Sequence, residues 1–423
     1  MSDDTKKIDP KTWCPYPSFN LNSNTDGRVK LCCSITENLH VRDGMHTYNF
    51  GKDRIEDIWN SNYMNAARHS LSSGIQFSHC SNCWKMEEMK IESSRVAALR
   101  DNLHKIEDGV TRLPESLELR LGNKCNLKCM SCWSLSSSSI FHERETALKE
   151  MNLPDGLAFG WRWEIEEVKS MDKNWYESEI FKENFRKMAP QLRRLYLTGG
   201  EPTLIDENNF FMDELIKAGN PFCAVSFTTN ATIWNEKFYK SLEKFQSSEV
   251  QISIDGIGSL NEYVRYGSKW EIVERNLEKI FALPESVNIK VFTVVSLLNA
   301  PGLTDIVRYL LEKFPKRKFI YAPIILQSPA YLSARLLSRD YRREVCDGIV
   351  EFLKVNEDTS HAWFRDGLRR VSDFLVNEGE GSEVDDREMQ ITFVKQYIDT
   401  LDQIRKNKHP QHQDLFERGL NGI

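Results

Sequence analysis

Three cysteines lie within eight residues of one another in the stretch GNKCNLKCMSCWSL, Gly122 to Leu135. They are Cys125, Cys129 and Cys132, in a C-x3-C-x2-C spacing. A four-iron cluster normally takes four thiolate ligands. A cluster that is held by only three thiolates keeps one iron open, and that iron can bind a substrate or a cofactor. The alternatives for the same three residues are cysteines that have this spacing by chance and a zinc site that lacks an obvious fourth ligand.

A second group of cysteines lies near the N-terminus. Its four members are Cys14, Cys32, Cys80 and Cys83. Twelve residues separate Cys14 from Gly27, and four more precede Cys32, while the last pair forms a C-x2-C motif. Four thiolates could close a tetrahedral zinc site or hold a complete iron-sulfur cluster. Cys33 adjoins Cys32 and could take its place as a ligand.

Composition limits the class of protein. The chain has 423 residues, a formal net charge of -6 and no basic block, so we expect no nucleic-acid partner. No window of about 18 to 20 uninterrupted apolar residues occurs, and no apolar run follows the charged N-terminus, so we expect a cytoplasmic protein without a membrane partner. In a reducing compartment, clustered cysteines more often bind metal than form disulfides. Eight of the ten cysteines come before residue 133, which indicates such clusters.

Strands and helices that could position these cysteines alternate from about Glu115 onward. The predicted strands are Leu117 to Gly122, Arg193 to Gly200, Cys223 to Asn230, Val250 to Gly256, Val287 to Ser296 and Lys318 to Leu326. Amphipathic helical segments lie between several of them. Six strand and helix units in this order predict an α/β fold with a parallel sheet, open or partly closed into a barrel. Chemistry in such folds lies at the carboxyl ends of the strands, and the three-cysteine loop directly follows the first strand.

The C-x3-C-x2-C motif after a first strand resembles the signature of the radical S-adenosylmethionine (radical SAM) superfamily. The resemblance implies a partial (β/α)6 parallel barrel and a catalytic 4Fe-4S cluster on Cys125, Cys129 and Cys132. The open iron of that cluster binds S-adenosylmethionine. In this family, one electron from the cluster cleaves the cofactor to a 5'-deoxyadenosyl radical, which abstracts a hydrogen atom from the substrate.

Later strands end in further motifs of the same family. The GGEP motif, which binds the methionine amino group, is matched without a gap by Gly199, Gly200, Glu201 and Pro202. The resemblance assigns further contacts with the ribose and the carboxylate of the cofactor to Asn230, Ser253, Asp255 and Arg265. Without the resemblance, Gly-Gly is an ordinary strand-to-helix turn, the polar residues are turn or capping residues, and the arginine is a surface residue.

The N-terminal cysteines resemble the auxiliary-cluster modules that are called SPASM and twitch. A full SPASM module has seven cysteines and two clusters, so twitch, with one auxiliary 4Fe-4S cluster, is the better match here. Such modules usually follow the barrel, whereas this one precedes it. The predicted domains are a twitch/SPASM-like module over residues 1–96, a radical SAM core over 97–334 and a helical C-terminal region over 335–423.

The resemblance implies an oxidoreductase that takes electrons from a flavodoxin- or ferredoxin-type donor. An auxiliary cluster with four protein ligands has no site for substrate, so we expect it to transfer electrons, for instance in a net oxidation. Structural stabilisation by the cluster is the alternative, since metal binding can contribute folding energy. Related proteins modify peptides, sugars and other small molecules, which makes a peptide or protein the first expected substrate and a carbohydrate the second. The alternative is a non-catalytic iron-sulfur or zinc-binding protein on a degenerate scaffold.

Overall fold

A computed structural model describes residues 11–35, 39–88, 92–102, 109–326, 328–357, 362–376 and 387–420. The chain divides into two units. The first contains Met1–Asn123, Met171–Phe227 and Glu236–Ser248, and the second contains Lys124–Ser170, Thr228–Asn235 and Glu249–Ile423. Twelve strands lie in the described residues: β1 Asn20–Ser23, β2 Val29–Lys30, β3 Arg42–Asp43, β4 His46–Thr47, β5 Ser116–Arg120, β6 Lys128–Cys129, β7 Arg194–Thr198, β8 Ala224–Thr229, β9 Ser248–Ser253, β10 Arg265–Tyr266, β11 Val287–Val295 and β12 Ile320–Ile325.

The sheet of the first unit has the strand order β8-β7-β5-β1-β2. Strands β8, β7, β5 and β1 pair in parallel, and β2 is antiparallel to β1. Strand β1 comes from the N-terminal segment between Cys14 and Gly27 and pairs directly with β5, the first strand of the predicted barrel. The N-terminal segment therefore extends the sheet of this unit.

The two faces of this sheet differ in polarity. Paired residues of neighbouring strands point to the same face, and successive residues alternate between faces. One face carries leucines from β5 and β7, including Leu117 and Leu195, which are fully buried. The other face carries one row of polar residues across five strands: Lys30, Asn22, Glu118, Tyr196 and Ser226. Parallel strands are normally apolar on both faces, so this polar strand face is an exception.

Helices in the first unit lie between the strands and around the N-terminal cysteines. Their bounds are Tyr16–Phe19, Ile55–Trp59, Asn62–Ser72, Ser81–Glu88, Ser94–Asn102, Glu179–Met188, Glu207–Lys217 and Glu236–Leu242. The helix Asn62–Ser72 begins after Ser61, whose hydroxyl accepts a hydrogen bond from the Met64 N–H at 3.3 Å. In the helix Glu179–Met188, Phe181 and Phe185 are fully buried, which gives this amphipathic segment its apolar face.

The second unit contains β9, β11 and β12, with β11 next to β9 and parallel to β12. A short antiparallel pair of β6 and β10 lies in the same unit. Its helices are Ser138–Glu150, Asp155–Ser170, Ser259–Val264, Trp270–Phe281, Leu303–Lys313, Arg339–Val355, Arg365–Val376, Arg387–Arg405 and His412–Asp414. Within the described ranges, no helix has the length and apolar character that crossing a membrane requires.

The predicted fold class is confirmed. All six predicted strands are present, as β5, β7, β8, β9, β11 and β12, and each is one to three residues shorter than predicted. The described part of the C-terminal region is helical, as expected. The predicted boundaries at residues 96 and 334 stay predictions.

Candidate active site and auxiliary cluster site

The three-cysteine loop lies in the second unit and is held by backbone hydrogen bonds. Cys129, in β6, pairs with Arg265, in β10. The Cys132 N–H donates to the Cys129 carbonyl at 3.1 Å, which closes a turn between these two cysteines. The carbonyl of Cys125 accepts a hydrogen bond from the Ser139 hydroxyl at 2.8 Å. Each of the three cysteines is therefore fixed at its backbone.

Burial raises the pKa of the Cys132 thiol to about 12, and the neighbouring cysteines add to the effect. It also raises the pKa of Cys129, although the positive charge of Arg265 opposes the change. Metal ligation requires the thiolate form and releases the thiol protons. Three thiols on one braced loop fit a cluster with three protein ligands.

A C-terminal helix anchors the centre of the cysteine loop at Met130. The Tyr397 hydroxyl donates to the Met130 carbonyl at 2.7 Å, and the Met130 N–H donates to Val264 at 2.8 Å. Arg405 lies 3.1 Å from the Met130 sulfur through Nη1, and its Nη2 is 2.8 Å from Glu143. Both Tyr397 and Arg405 belong to the helix Arg387–Arg405, so this helix is part of the structure that shapes the loop.

The end of the cysteine loop is held by a buried ion pair. Arg144 pairs with Glu164, and its Nη2 donates to the Cys132 carbonyl at 3.3 Å. Glu164 also accepts a hydrogen bond from the Ser134 N–H at 2.8 Å. Both residues come from the segment that follows the cysteines, so this segment also fixes the position of Cys132.

Arg265 and Asp255 form a second buried pair in this unit. Their side chains meet at 2.8 Å and are 12% and 1% exposed. Burial alone would lower the pKa of Arg265, but Cys129 and Asp255 together raise it above its ordinary value. The Arg265 Nε is buried and has no hydrogen-bond partner within the described part of the chain. A buried guanidinium with an open N–H beside Cys129 fits the carboxylate of S-adenosylmethionine.

Asn230 is brought to the cysteine loop itself. Its Nδ2 donates to Asn126 at 3.0 Å, and its Oδ1 accepts from the Thr232 N–H at 2.9 Å. Asn126 in turn donates to the Thr232 hydroxyl at 2.8 Å. Asn126 adjoins Cys125, so the loop after β8 holds the first cysteine in place. Ser253 ends β9 and is half-buried.

The GGEP residues lie in the first unit, at the end of β7. Gly199 has a φ of +83°, and a Cβ there would lie 2.8 Å from the Arg120 Cα, so only glycine fits. Gly200 also has a positive φ, of +54°. Glu201 is buried, and its Oε1 accepts from the Thr203 hydroxyl at 2.7 Å at the start of the 3-10 helix Pro202–Leu204. The motif thus forms a sharp turn directly after β7.

The four N-terminal cysteines line a single cavity in the first unit, together with Tyr16, Leu31, Ser34, Ile35, Ser94 and Arg95. Burial raises the pKa of Cys14, Cys32 and Cys80, to about 12 for Cys80. In the described ranges, no three His, Cys, Asp or Glu side chains have the spacing of a single-ion site. Four thiols around one cavity are the donor set of a complete iron-sulfur cluster.

Cys33 turns away from this cavity. It is half-buried and hydrogen-bonds to Glu118 on the polar strand face. Burial raises the pKa of Cys33 to about 12, and the Glu118 charge adds to the effect. Burial likewise raises the pKa of Glu118, although Arg120 and Arg194 oppose the change. The geometry thus favours Cys32 over Cys33 as the cluster ligand.

Iron analysis distinguishes the two adjacent cysteines. With Cys125, Cys129 and Cys132 replaced by alanine, the reconstituted protein should keep about four irons in the auxiliary site. Adding Cys32→Ala should bring the iron content well below this value, because one of four ligands is lost. Adding Cys33→Ala should leave about four irons. The opposite ranking would make Cys33 the ligand.

Sequence reasoning missed Asn126, Glu143, Tyr397 and Arg405, which hold the cysteine loop, and Arg95 and Glu118, near the auxiliary site. Only Asn126 lies inside a motif, and each of the other residues is at least seven positions from the nearest cysteine in sequence. Contacts such as Tyr397 with Met130 leave no local pattern that a sequence could show.

Two parts of the chain match the models of known protein families. Residues 119–306 match the Radical SAM superfamily, and residues 14–84 match SPASM, described as an iron-sulfur cluster-binding domain. No curated protein matches the chain.

Solved structures that are similar to the chain share little of its sequence. Streptococcus suis SuiB bound to S-adenosylmethionine is 13% identical, with a TM-score of 0.34 over 75% of this chain and 53% of SuiB. Native anSMEcpe with bound AdoMet is 19% identical, with a TM-score of 0.34 over 58% of this chain and 62% of that one. The chain thus spans less than two thirds of both proteins, and TM-scores of this size do not establish a common fold.

The radical SAM superfamily match covers residues 119–306. The match to SPASM, an iron-sulfur cluster-binding domain, lies on its N-terminal side, in the order that the motifs predicted. A radical SAM domain uses a 4Fe-4S cluster and S-adenosylmethionine, so these predicted cofactors are confirmed, and the SPASM match supports iron-sulfur over zinc at the N-terminal site. The individual ligands, and one auxiliary cluster rather than two, stay predictions.

Proposed function

We propose that this protein is a radical SAM enzyme that removes a hydrogen atom from a peptide or protein substrate and modifies it oxidatively. A carbohydrate-like small molecule is the second candidate. The observation that carries the proposal is the braced three-cysteine loop with the buried Arg265 beside Cys129. A protein that merely carried a cluster would not need a buried guanidinium with an open N–H at that position.

Each part of the site has a role in this proposal. When bound, the cluster and S-adenosylmethionine supply a 5'-deoxyadenosyl radical that takes the hydrogen atom. Arg265, oriented by Asp255, grips the cofactor carboxylate, and Ser253 contacts the cofactor nearby. Asn230 acts through Asn126 on the cysteine loop. The GGEP residues Gly199, Gly200, Glu201 and Pro202 bind the amino group of the methionine.

The auxiliary site is proposed to accept the electron that a substrate radical loses. Four buried thiols around one cavity leave no ligand position for substrate, which favours electron transfer over substrate binding. A flavodoxin- or ferredoxin-type protein would reduce the catalytic cluster. The net change in the substrate is then an oxidation.

The polar strand face supports a substrate with many hydrogen-bonding groups. Asn22 is 1% exposed, and its Oδ1 has no hydrogen-bond partner in the described residues, although Glu118 and Lys30 are its register neighbours. A peptide or a sugar can satisfy such buried polar atoms, whereas an aliphatic substrate cannot.

Cleavage of S-adenosylmethionine tests the proposal without the substrate. Protein reconstituted anaerobically with iron and sulfide, then given dithionite and S-adenosylmethionine, should form 5'-deoxyadenosine and methionine. The variant with Cys125, Cys129 and Cys132 changed to alanine should form none above the reductant-only background. Cys346→Ala is the matched control, because Cys346 is a buried thiol that bonds to the Ser372 carbonyl at 3.6 Å.

Two results would contradict the proposal. A wild-type protein that holds its clusters but forms no 5'-deoxyadenosine would be a non-catalytic iron-sulfur protein on a degenerate scaffold. A colourless protein that contains zinc would be a binding module, and the electron-acceptor role would then be dropped.

A further inference from the structure

Arg95 lies outside both matched domains and yet lines the four-cysteine cavity. The SPASM match ends at residue 84, and the radical SAM match begins at residue 119. Arg95 is 5% exposed and stands in the helix Ser94–Asn102. A buried arginine is strongly destabilising unless its charge is paired, so Arg95 must be held in the cavity wall by partners that include an opposite charge.

The guanidinium of Arg95 connects the two halves of the cysteine motif. Its Nη1 donates to the Trp13 carbonyl at 2.9 Å, and Trp13 directly precedes Cys14. Its plane lies over the indole ring of Trp84, 4.9 Å from the centroid, and Trp84 directly follows Cys83. Arg95 therefore fixes the backbone beside the first and the last of the four cysteines.

Glu87 holds Arg95 in this orientation. The Arg95 Nε donates to Glu87 at 2.9 Å, and Nη2 pairs with the second carboxylate oxygen. The Ser93 hydroxyl also donates to Glu87, at 2.5 Å. Ser94, which directly precedes Arg95, is hydrogen-bonded to Ser34 at 2.6 Å. Ser34 lies close to Cys32. This segment closes one side of the cavity, and Arg95 supplies the positive charge in its wall.

That charge acts on the site. It opposes the rise in the pKa of Cys80 that burial and Cys83 cause, and it acts in the same direction on Cys14. A 4Fe-4S cluster on four thiolates is negatively charged, and reduction makes it more so. A fixed cation in a buried, low-dielectric site favours the more negative state. The potential of such clusters depends on net charge and on hydrogen bonds near the sulfurs.

We propose that Arg95 is a positioning residue that raises the reduction potential of the auxiliary cluster and so makes it a better electron acceptor. The inference rests on the auxiliary cluster of the proposed function. In the reaction, the substrate radical loses one electron, the oxidised cluster gains it, and the substrate proton leaves to solvent or to a protein base. Arg95 itself undergoes no chemical change in this step.

A redox titration of the auxiliary cluster alone tests this role. Cys125, Cys129 and Cys132 are first changed to alanine, and the reduced cluster is followed by electron paramagnetic resonance. Arg95→Gln should shift the ratio of oxidised to reduced cluster at least tenfold toward the oxidised form. For a one-electron couple, this shift corresponds to a reduction potential that is about 59 mV lower. Arg95→Lys keeps the charge and should shift it less. Arg100→Gln is the matched control, because Arg100 lies in the same helix and pairs with Glu92 in solvent.

If Arg95→Gln loses its cluster, a second variant that should shift the reduction potential in the opposite direction still tests the proposal. Glu87→Gln removes the carboxylate that neutralises Arg95, so the potential should rise instead of fall. Unchanged potentials in Arg95→Gln with full iron content, or in Glu87→Gln, would overturn the role of Arg95. Absence of any iron in the triple-alanine protein would overturn the auxiliary cluster itself, and the role of Arg95 with it.

Discussion

Arg265→Met should lower the rate of S-adenosylmethionine cleavage about 100-fold, because misplacing a reacting cofactor by about 1 Å costs this much. The guanidinium pairs with Asp255 at 2.8 Å and lies next to Cys129. Its loss removes the proposed grip on the cofactor carboxylate. It also leaves the Asp255 carboxylate buried without its counter-charge. The rate is measured as 5'-deoxyadenosine formed per cluster, after iron content has been matched to wild type.

Stability should change in the same variant. Removing one partner of a buried pair costs about 3 to 5 kcal/mol in the free energy of unfolding, because the other charge stays uncompensated. The double variant Asp255→Asn, Arg265→Met should recover most of this loss, since the amide Oδ1 can still accept from the Val294 N–H, which donates to Asp255 at 2.8 Å. The cleavage rate should stay low in the double variant.

The combination separates the two roles of the pair. Arg308→Met serves as the control for loss of a cation, since Arg308 pairs with Asp305 in solvent within one helix. Near-wild-type cleavage in Arg265→Met would remove Arg265 from the cofactor site. Recovery of cleavage in the double variant would show that Arg265 acts only on folding.

Much of the fold and of the candidate site could be predicted from local patterns in the sequence. The strand that was predicted over Val287 to Ser296 runs from Val287 to Val295, and it could be predicted because the segment is rich in β-branched and apolar residues. The cysteine and GGEP motifs were visible because their residues are close in sequence. Gly199 shows why such motifs can be read: the backbone itself, through its positive φ and its contact with Arg120, restricts the residue type.

Long-range contacts could not be predicted in the same way. Met130 is fixed by Tyr397, which is 267 residues away, and Asn126 meets Asn230 across 104 residues. Neither contact has a periodicity or a spacing. The choice between Cys32 and Cys33 was open for a different reason: adjacent residues point in different directions, and only the backbone path decides which one faces the cavity.

Gly27→Ala should have the largest effect on the stability of the N-terminal region. Gly27 has a φ of +82°, and a Cβ there would lie 2.6 Å from Cγ of Trp175. A left-handed conformation costs a non-glycine residue about 1 to 2 kcal/mol, and overpacking costs about 1 to 3 more. We therefore expect a loss of about 2 to 5 kcal/mol in the free energy of unfolding, measured by denaturant titration. Iron in the auxiliary site should fall as well, because Gly27 precedes Cys32 by only five residues.

The indole ring of Trp175 occupies the space that a side chain at residue 27 would need. Its Nε1 donates to the Thr25 carbonyl at 3.1 Å, and its ring packs on Phe50 and on Phe181, at centroid distances of 6.0 and 4.7 Å. The tryptophan is 1% exposed, so it has no space to move aside. The segment around Trp175, which lies between the predicted strands Leu117 to Gly122 and Arg193 to Gly200, is thus a structural part of the N-terminal region.

Gly44→Ala is the matched control for this prediction. Gly44 also has a positive φ, of +58°, but an added Cβ meets nothing within 4 Å. It should cost only the conformational part, about 1 to 2 kcal/mol. In the pair Gly27→Ala, Trp175→Ala, the two losses should not add, because removing the indole makes room for the new methyl group. Equal effects of Gly27→Ala and Gly44→Ala, or strict additivity in the pair, would show that backbone conformation alone requires glycine at residue 27.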